Sequence, residues 1–315
     1  MLNFVTIFDK NFLIQGLCLY NSLCRNLNQF ELFVVAFDHD VIKFFKDSKY
    51  ENITVIPLSD LETNELKNIS SDRSKKEYIW TLTPFLPLYV LSNFKDVECI
   101  YYIDADMQII KNPTEIVNNF IDKDKSILLS EHDFAAQYDQ TSSSGHFCVQ
   151  FMGFKRSPKS ILFLQEWCGL CLDWCFDKIE LDRFGDQKYL EKLELKFRPH
   201  VEIVKQKGAI QAPWNAIRYP HSEAIIFHFH GFRYLGNYKF LLENGYNIPR
   251  PTINHIYKPY AEEILTQVRL IENFFGIKIQ QVSINKKFRL PLFSFLQSIY
   301  RNRHLFISNE IMKLK

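Results

Sequence analysis

The chain has 315 residues, 47% of them hydrophobic and 23% charged, enough for one large α/β domain with an appendage or for two modest domains. Its 38 Lys and Arg against 36 Asp and Glu leave a net charge of +2, which gives no whole-molecule field to attract nucleic acid. No apolar run approaches the ~20 residues needed to span a bilayer, and no long tract has the composition of disorder.

The first segment, MLNFVTIFDKNF, lacks a basic n-region and is broken by Asp9, so it reads as a first core strand and not as a signal peptide. Seven cysteines without an export signal read as reduced thiols, which places the chain in the cytoplasm. Strands are expected at Phe4 to Phe8, Glu31 to Phe37, Ile53 to Pro57, Glu98 to Ile103, Ser126 to Ser130, Val149 to Phe154 and Ala224 to His228. Helical patterns fall at Leu13 to Arg25, Val41 to Asp47, Ile79 to Ser92 and Pro158 to Asp177. Such alternation predicts an α/β fold, a mixed but mostly parallel Rossmann-like sheet with helices on both faces. Ligands then belong at the carboxyl ends of the strands. The composition shifts near residue 250, which predicts a main domain over 1–250 and a basic, helical extension over 251–315.

The most informative stretch is ECIYYIDADMQIIKNP. Asp104 and Asp106, one residue apart at the end of an apolar run, would share one side of an extended chain and offer a divalent cation two hard oxygen ligands. A solvated turn is the structural alternative. Downstream, IIFHFHGF sets His228 and His230 on one face of a strand, and Gly231 after them suits a turn or a close approach to phosphate. Cys168, Cys171 and Cys175 share a helix face in the 158–177 segment. One helix cannot easily wrap three of its own thiolates around an ion, so they read as small buried hydrophobes.

Taken together, VTIFDKNFLIQGLCLYNSL, EYIWTLTPFLPLYV, YYIDADMQIIKNP, FGDQKYL, APWN and IIFHFHGF occur in the order seen in bacterial nucleotide-diphospho-sugar transferases related to glycosyltransferase family 8. The resemblance spans about residues 3–235. It implies a GT-A fold, a nucleotide-diphospho-sugar donor (UDP-linked in most such enzymes) and a Mn2+ or Mg2+ ion. Asp104, Asp106 and His228 would hold the metal, with Ala105 beside the donor. Thr6, Asp9, Asn11, Trp80, Thr83 and Gly231 fall where the family contacts the donor. For Asp9, capping of the helix that follows is an equal alternative. Tyr78-Ile79-Trp80-Thr81 departs from the family, which often has a basic residue there.

Asp186 and Gln187 match the family's Asp-Gln beside the reacting sugar, where a carboxylate and an amide would stabilise an oxocarbenium-like transition state with retention. The alternative is a helix cap at Asp186. Inversion would need a carboxylate base, for which Asp186, Glu131 and Asp133 are candidates. Pro213, Trp214, Asn215 and His230 are candidate acceptor contacts, although a Trp after Pro is also an ordinary packing anchor. HFCVQFMGFKR departs from the family's Asn-x-Gly.

From Lys286 to Lys315 there are seven Lys or Arg and one acid, interleaved with aromatic and aliphatic residues. The 286–315 segment reads either as peripheral contact with an anionic membrane at the inner face of the plasma membrane or as a docked helix with a solvated basic face. The resemblance extends to saccharide or lipid-linked acceptors in lipopolysaccharide or capsule assembly. A non-catalytic nucleotide-sugar-binding protein and a nucleotidyl- or phosphotransferase using the same aspartates are the competing readings.

Overall fold

The computed structural model describes residues 1–242, 245–279 and 311–314. Its frame is a seven-stranded sheet built from β1 (Leu2–Phe8), β2 (Phe30–Ala36), β3 (Ile53–Pro57), β4 (Cys99–Ile103), β6 (Ile127–Glu131), β7 (Phe147–Lys155) and β8 (Val201–Ile203). Its strand order is β3-β2-β1-β4-β7-β6-β8. All neighbours are parallel except at β7, which runs antiparallel to both β4 and β6. The sheet is mixed and mostly parallel.

β1 shows why. Phe4 and Phe8 face one hydrophobic layer with the helix Leu13–Asn26, and Val5 and Ile7 face the other, so both faces are covered and the strand reads as a continuous apolar run. The second layer is closed by Lys75–Leu82, Phe85–Asn93, Pro158–Asp173 and Tyr189–Phe197. Helix starts follow their caps. Asp38 accepts from Val41 N at 3.1 Å, Ser157 caps a helix opening with Pro158, and Ser74 with Glu77 forms a capping box.

Two expected helices are shorter than their patterns. The 79–92 pattern is two helices, Lys75–Leu82 and Phe85–Asn93, because Pro84 has no N–H to donate into the helical ladder. The 158–177 pattern stops at Asp173, where the buried Arg73 guanidinium donates to the Cys171 and Leu172 carbonyls, both at 2.7 Å. Cys175 therefore lies beyond the helix. Burial pushes the Cys168 and Cys171 thiols up, which suits inert packing residues.

A second sheet, ordered β5-β10-β9, comprises β5 (Met107–Ile109), β9 (Ile210–Gln211) and β10 (Ile226–His228). β5 and β10 pair antiparallel with His228 opposite Met107. The helix Lys258–Phe275 ends on a left-handed Gly276, φ +64°. It packs against the Leu13–Asn26 helix, with Arg25 Nη2 2.9 Å from Glu263 Oε2. Of the predicted basic tail, 286–310 and Lys315 lie outside the described residues. Ile311–Lys313 is a strand and not part of a helix: as β13 it pairs with β12 (Lys239–Leu241), which in turn pairs with β11 (Arg233–Gly236).

Candidate active site

The parallel neighbours β1 and β4 end on the same edge of the main sheet, which carries Asp9 and Asp104 to one side of the molecule. After β4 the chain turns back sharply, Met107 N donating to Asp104 O at 3.2 Å, and enters β5. The two aspartates therefore converge through a turn and not through the alternation of an extended strand. β10 then delivers His228, and Phe229 N donates to Asp106 O at 2.9 Å, locking the two segments together.

One ligand atom from each of Asp104, Asp106 and His228 lies within 4.8 Å of the others. Nε2 of His228 is 3.1 Å from Asp106 Oδ1 and 3.9 Å from Asp104 Oδ2. The carboxylates retain 21–24% side-chain exposure, whereas the imidazole is buried at 7%. Two hard oxygens open to one side and one fixed nitrogen fit a divalent ion such as Mn2+. Thiolates take no part.

Electrostatics support that fit. Burial, reinforced by Asp106, pushes Asp104 up to about 6 despite the His228 charge and the Tyr102 hydroxyl, which donates to Asp104 Oδ1 at 2.7 Å. Burial works in the same direction on Asp106, but the charge and hydrogen bond of His228 outweigh it and hold Asp106 below its ordinary range. Burial would lower His228; the two carboxylates win, and its pKa is raised. Without a metal, a proton is the cation shared by this trio.

Gln150, on β7, was not singled out in the sequence. Its side chain is fully buried, and Oε1 lies 3.0 Å from His228 Nδ1. Its backbone carbonyl accepts from Asp104 N at 3.1 Å. An amide in the apolar run FCVQFMGF was the available signal. By accepting the Nδ1 hydrogen it leaves the Nε2 lone pair for a metal.

Asp186 is buried, and burial pushes its pKa up to about 7, with the Asp104 charge adding to the rise and the Thr83 hydroxyl opposing it. Oδ2 has no hydrogen-bond partner. Thr83 sits beside both the Tyr102 hydroxyl and Asp186, so Asp104, Tyr102, Thr83 and Asp186 form one polar cluster. The Trp167 indole donates to the Asp186 carbonyl at 2.9 Å and fixes the segment from below. Asp186 does not cap the next helix: Tyr189–Phe197 starts after Lys188, without a side-chain cap. Gln187 beside it is half-buried.

The other candidates fall into two groups. Asp9 does cap a short helix, Lys10–Phe12, accepting from Phe12 N at 3.1 Å and from Asn11 Nδ2 at 2.9 Å, and it pairs with Lys75. Thr6 is buried beneath it with Oγ1 unpartnered, while Asn11 is exposed. Trp80 packs on Phe184 and lies under the Lys76 ammonium, 4.4 Å from the ring centre. Lys75 and Lys76, one turn before the neutral Tyr78–Thr81 segment, are paired with Asp9 and Asp177.

The second group lies behind the imidazole. Trp214 packs edge-on against His228 and His230 at 5.5 and 5.7 Å, and its indole donates to His132 O at 2.8 Å. Asn215 is fully buried and its amide is spent on Ala212 N, His132 O and Ile210 O, while Pro213 is buried next to it. His230 is exposed, Gly231 takes φ +79° in the following turn, and Ala105 is buried under the aspartates. Glu131 and Asp133 are already partnered, Glu131 by His146 and Lys207 and Asp133 by Arg218 and Tyr219.

The family model for glycosyl transferase family 8 matches residues 3–170. YfnD of Bacillus subtilis (strain 168), an uncharacterised protein, is 27% identical over 291 residues, covering 87% of this chain and 92% of its own. Among solved structures, the galactosyltransferase LgtC, in complex with donor and acceptor sugar analogues, superposes with TM-score 0.51 at 13% identity. That match covers 87% of this chain and 99% of LgtC. The glycosyltransferase GlyE of Streptococcus pneumoniae TIGR4 gives TM-score 0.51 at 13% identity, over 87% of this chain and 63% of GlyE. At that identity the likeness is one of fold, and the fold is GT-A. With the family model covering more than half of its length, the chain belongs to glycosyl transferase family 8 and is a glycosyltransferase.

Proposed function

We propose that this glycosyltransferase moves a sugar from a UDP-sugar to a saccharide or lipid-linked saccharide acceptor, with retention of anomeric configuration and with Mn2+ as its ion. The observation that carries the reading is the convergence of Asp104, Asp106 and His228 next to the buried, partly unpartnered Asp186 carboxyl. Bound there, the ion would neutralise charge developing on the leaving diphosphate.

The protein's own groups account for the rest. Asp104, Asp106 and the Nε2 of His228 would hold the ion. Asp9, Asn11 and Gly231 are assigned to the donor side with Thr6 buried behind them, and Trp80 and Thr83 are assigned as further donor contacts. During transfer the bond from the anomeric carbon to the diphosphate oxygen breaks and a bond to an acceptor hydroxyl oxygen forms. The hydroxyl proton goes to the departing phosphate oxygen. Asp186 and the Gln187 amide stabilise positive charge at the anomeric carbon. Of the three carboxylates that could serve an inverting reaction as base, Glu131 and Asp133 are tied to cations; Asp186 remains, and we assign it to the anomeric carbon in a retaining transfer.

The acceptor side is assigned to Trp214, His230 and the loop carrying Pro213 and Asn215. The biological setting we infer is surface-glycan assembly, of the lipopolysaccharide or capsule kind, on the cytoplasmic side of the membrane. No described helix is long and apolar enough to cross a bilayer. Thermal-shift screening of UDP and GDP with and without Mn2+ tests the reading. Stabilisation by UDP only with metal, and UDP-sugar hydrolysis abolished in Asp106→Ala, is the expected outcome. Metal-independent nucleotide binding without turnover would instead favour a non-catalytic binding protein.

A further inference from the structure

β5, which leads out of Asp106, is held from outside its own sheet. It stands at the edge of the β5-β10-β9 sheet, so one side pairs with β10 and the other has no neighbouring strand. All three of its residues are buried, and a buried edge must find partners for its N–H and C=O groups elsewhere. The Leu13–Asn26 helix supplies them. Ser22 Oγ accepts from Ile109 N at 3.0 Å, and Asn26 Nδ2 donates to Ile109 O at 2.8 Å. Ser22 is itself fully buried, its hydroxyl donating to Leu19 O at 2.6 Å.

Met107 and Ile109 join the hydrophobic layer that holds Phe4 and Phe8, and strand alternation turns the Gln108 side chain to the other side. There Gln108 Nε2 donates to Glu263 Oε2 at 2.7 Å, and Arg25 donates to both oxygens of the same carboxylate at 2.9 and 3.1 Å. One turn earlier on the helix Lys258–Phe275, Tyr260 lies on Phe229 with ring centres 3.6 Å apart and planes 17° from parallel. Tyr260 and Glu263, three residues apart, share one helix face. That face therefore meets both arms of the candidate metal site, β5 two residues after Asp106 and the chain one residue after His228.

We propose that Glu263 and Gln108 are positioning residues for metal binding: their hydrogen bond fixes β5 against the helix Lys258–Phe275 and so holds Asp106 opposite His228. The inference deepens the metal reading above and rests on it, and it makes that helix part of the catalytic unit. The route is short. Gln108 pairs with Phe227 across the two strands, and Phe229 N donates to Asp106 O at 2.9 Å, so a shift of β5 carries the carboxylate past the imidazole. With Asp106 Oδ1 already 3.1 Å from His228 Nε2, small shifts alter the ligand geometry. The Arg25 ion pair does not account for Glu263, because the Arg25 side chain is 52% exposed and such pairs contribute little. Nor does stability alone, since a packed apolar pair would serve a fold at least as well as a buried carboxylate.

The test uses the full chain, titrated with Mn2+ in the presence of UDP while free Mn2+ is followed by electron paramagnetic resonance, with the thermal midpoint of the metal-free protein read in parallel. Glu263→Ala is expected to raise the Mn2+ Kd about tenfold, as for groups that orient metal ligands. Gln108→Leu leaves Glu263 with Arg25 and a side chain of similar size in place, and is expected to do the same. Because both act through one hydrogen bond, the double variant is expected to lose about tenfold and not about a hundredfold. A purely structural role would lower the thermal midpoint and leave the Kd of the folded protein unchanged. Mn2+ affinity within twofold of wild type in either single variant therefore overturns the proposal, as do losses that multiply in the double variant. Should Glu263→Ala fail to fold, Gln108→Leu alone decides. A wild type that binds no Mn2+ with UDP refutes the metal reading itself.

Discussion

Replacing Gln150 by leucine is predicted to weaken metal binding by about 10- to 100-fold while leaving the metal-free fold intact. The imidazole of His228 can give its Nε2 lone pair to a cation only with its hydrogen on Nδ1. That hydrogen has one buried acceptor, Gln150 Oε1 at 3.0 Å. Leucine removes the acceptor, and a buried N–H left unpaired costs about 1–3 kcal/mol. In the neutral imidazole, above the raised pKa of His228, that cost falls on the metal-binding tautomer alone, which corresponds to roughly 1.4–2.7 kcal/mol for a 10- to 100-fold change in Kd. Stability is less affected, because Gln150 Nε2 is itself buried without a partner and leucine removes that deficit too. Gln150→Glu restores an acceptor and should bind metal more tightly than the leucine variant. The assay is titration with Mn2+ in the presence of UDP, following free Mn2+ by electron paramagnetic resonance. A Gln150→Leu protein within twofold of wild type, or a Gln150→Glu protein as weak as Gln150→Leu, would refute the tautomer argument.

Mn2+ affinity should climb as pH rises through about 6, where Asp104 titrates, and on through the raised pKa of His228, because both must shed protons to the entering ion; calorimetry in buffers of different ionisation enthalpy would report the release, and a flat profile would contradict it. Asp186→Asn should cut transfer at least ~100-fold yet stabilise the metal-free protein at high pH. The sign follows from a carboxyl raised from 3.8 to about 7: its destabilising ionisation is absent below 3.8, grows across that window and is complete above 7. At full extent it is on the order of 4 kcal/mol, so the thermal midpoint gain over wild type should be larger at about pH 8 than at about pH 5.5. Trp167→Phe removes the donor to the Asp186 carbonyl and should lower stability by about 1–3 kcal/mol, with kcat falling more than nucleotide binding; unchanged kcat would mean that the indole does not position the segment.

What could be read in the sequence was whatever is written over a long enough stretch. β1, β2 and β4 are buried on both faces, so each reads as an apolar run whose ends barely move on folding. β5, β9 and β10 have two or three residues each, too few for any periodicity to show, and exist because they pair with one another. The candidate metal site is built at their ends, with His228 closing β10 and Asp106 just before β5. Asp104 and Asp106 were identifiable by residue type, but their convergence comes from a turn, and the approach of His228 comes from a strand pairing across more than a hundred residues that no local pattern encodes. Gln150 was hidden for a related reason: an amide in an apolar strand shows its purpose only when the group facing it is known, and that group is His228 from another sheet. Residue chemistry therefore names the ligands of such a site, while the groups that orient them become visible only through tertiary contact.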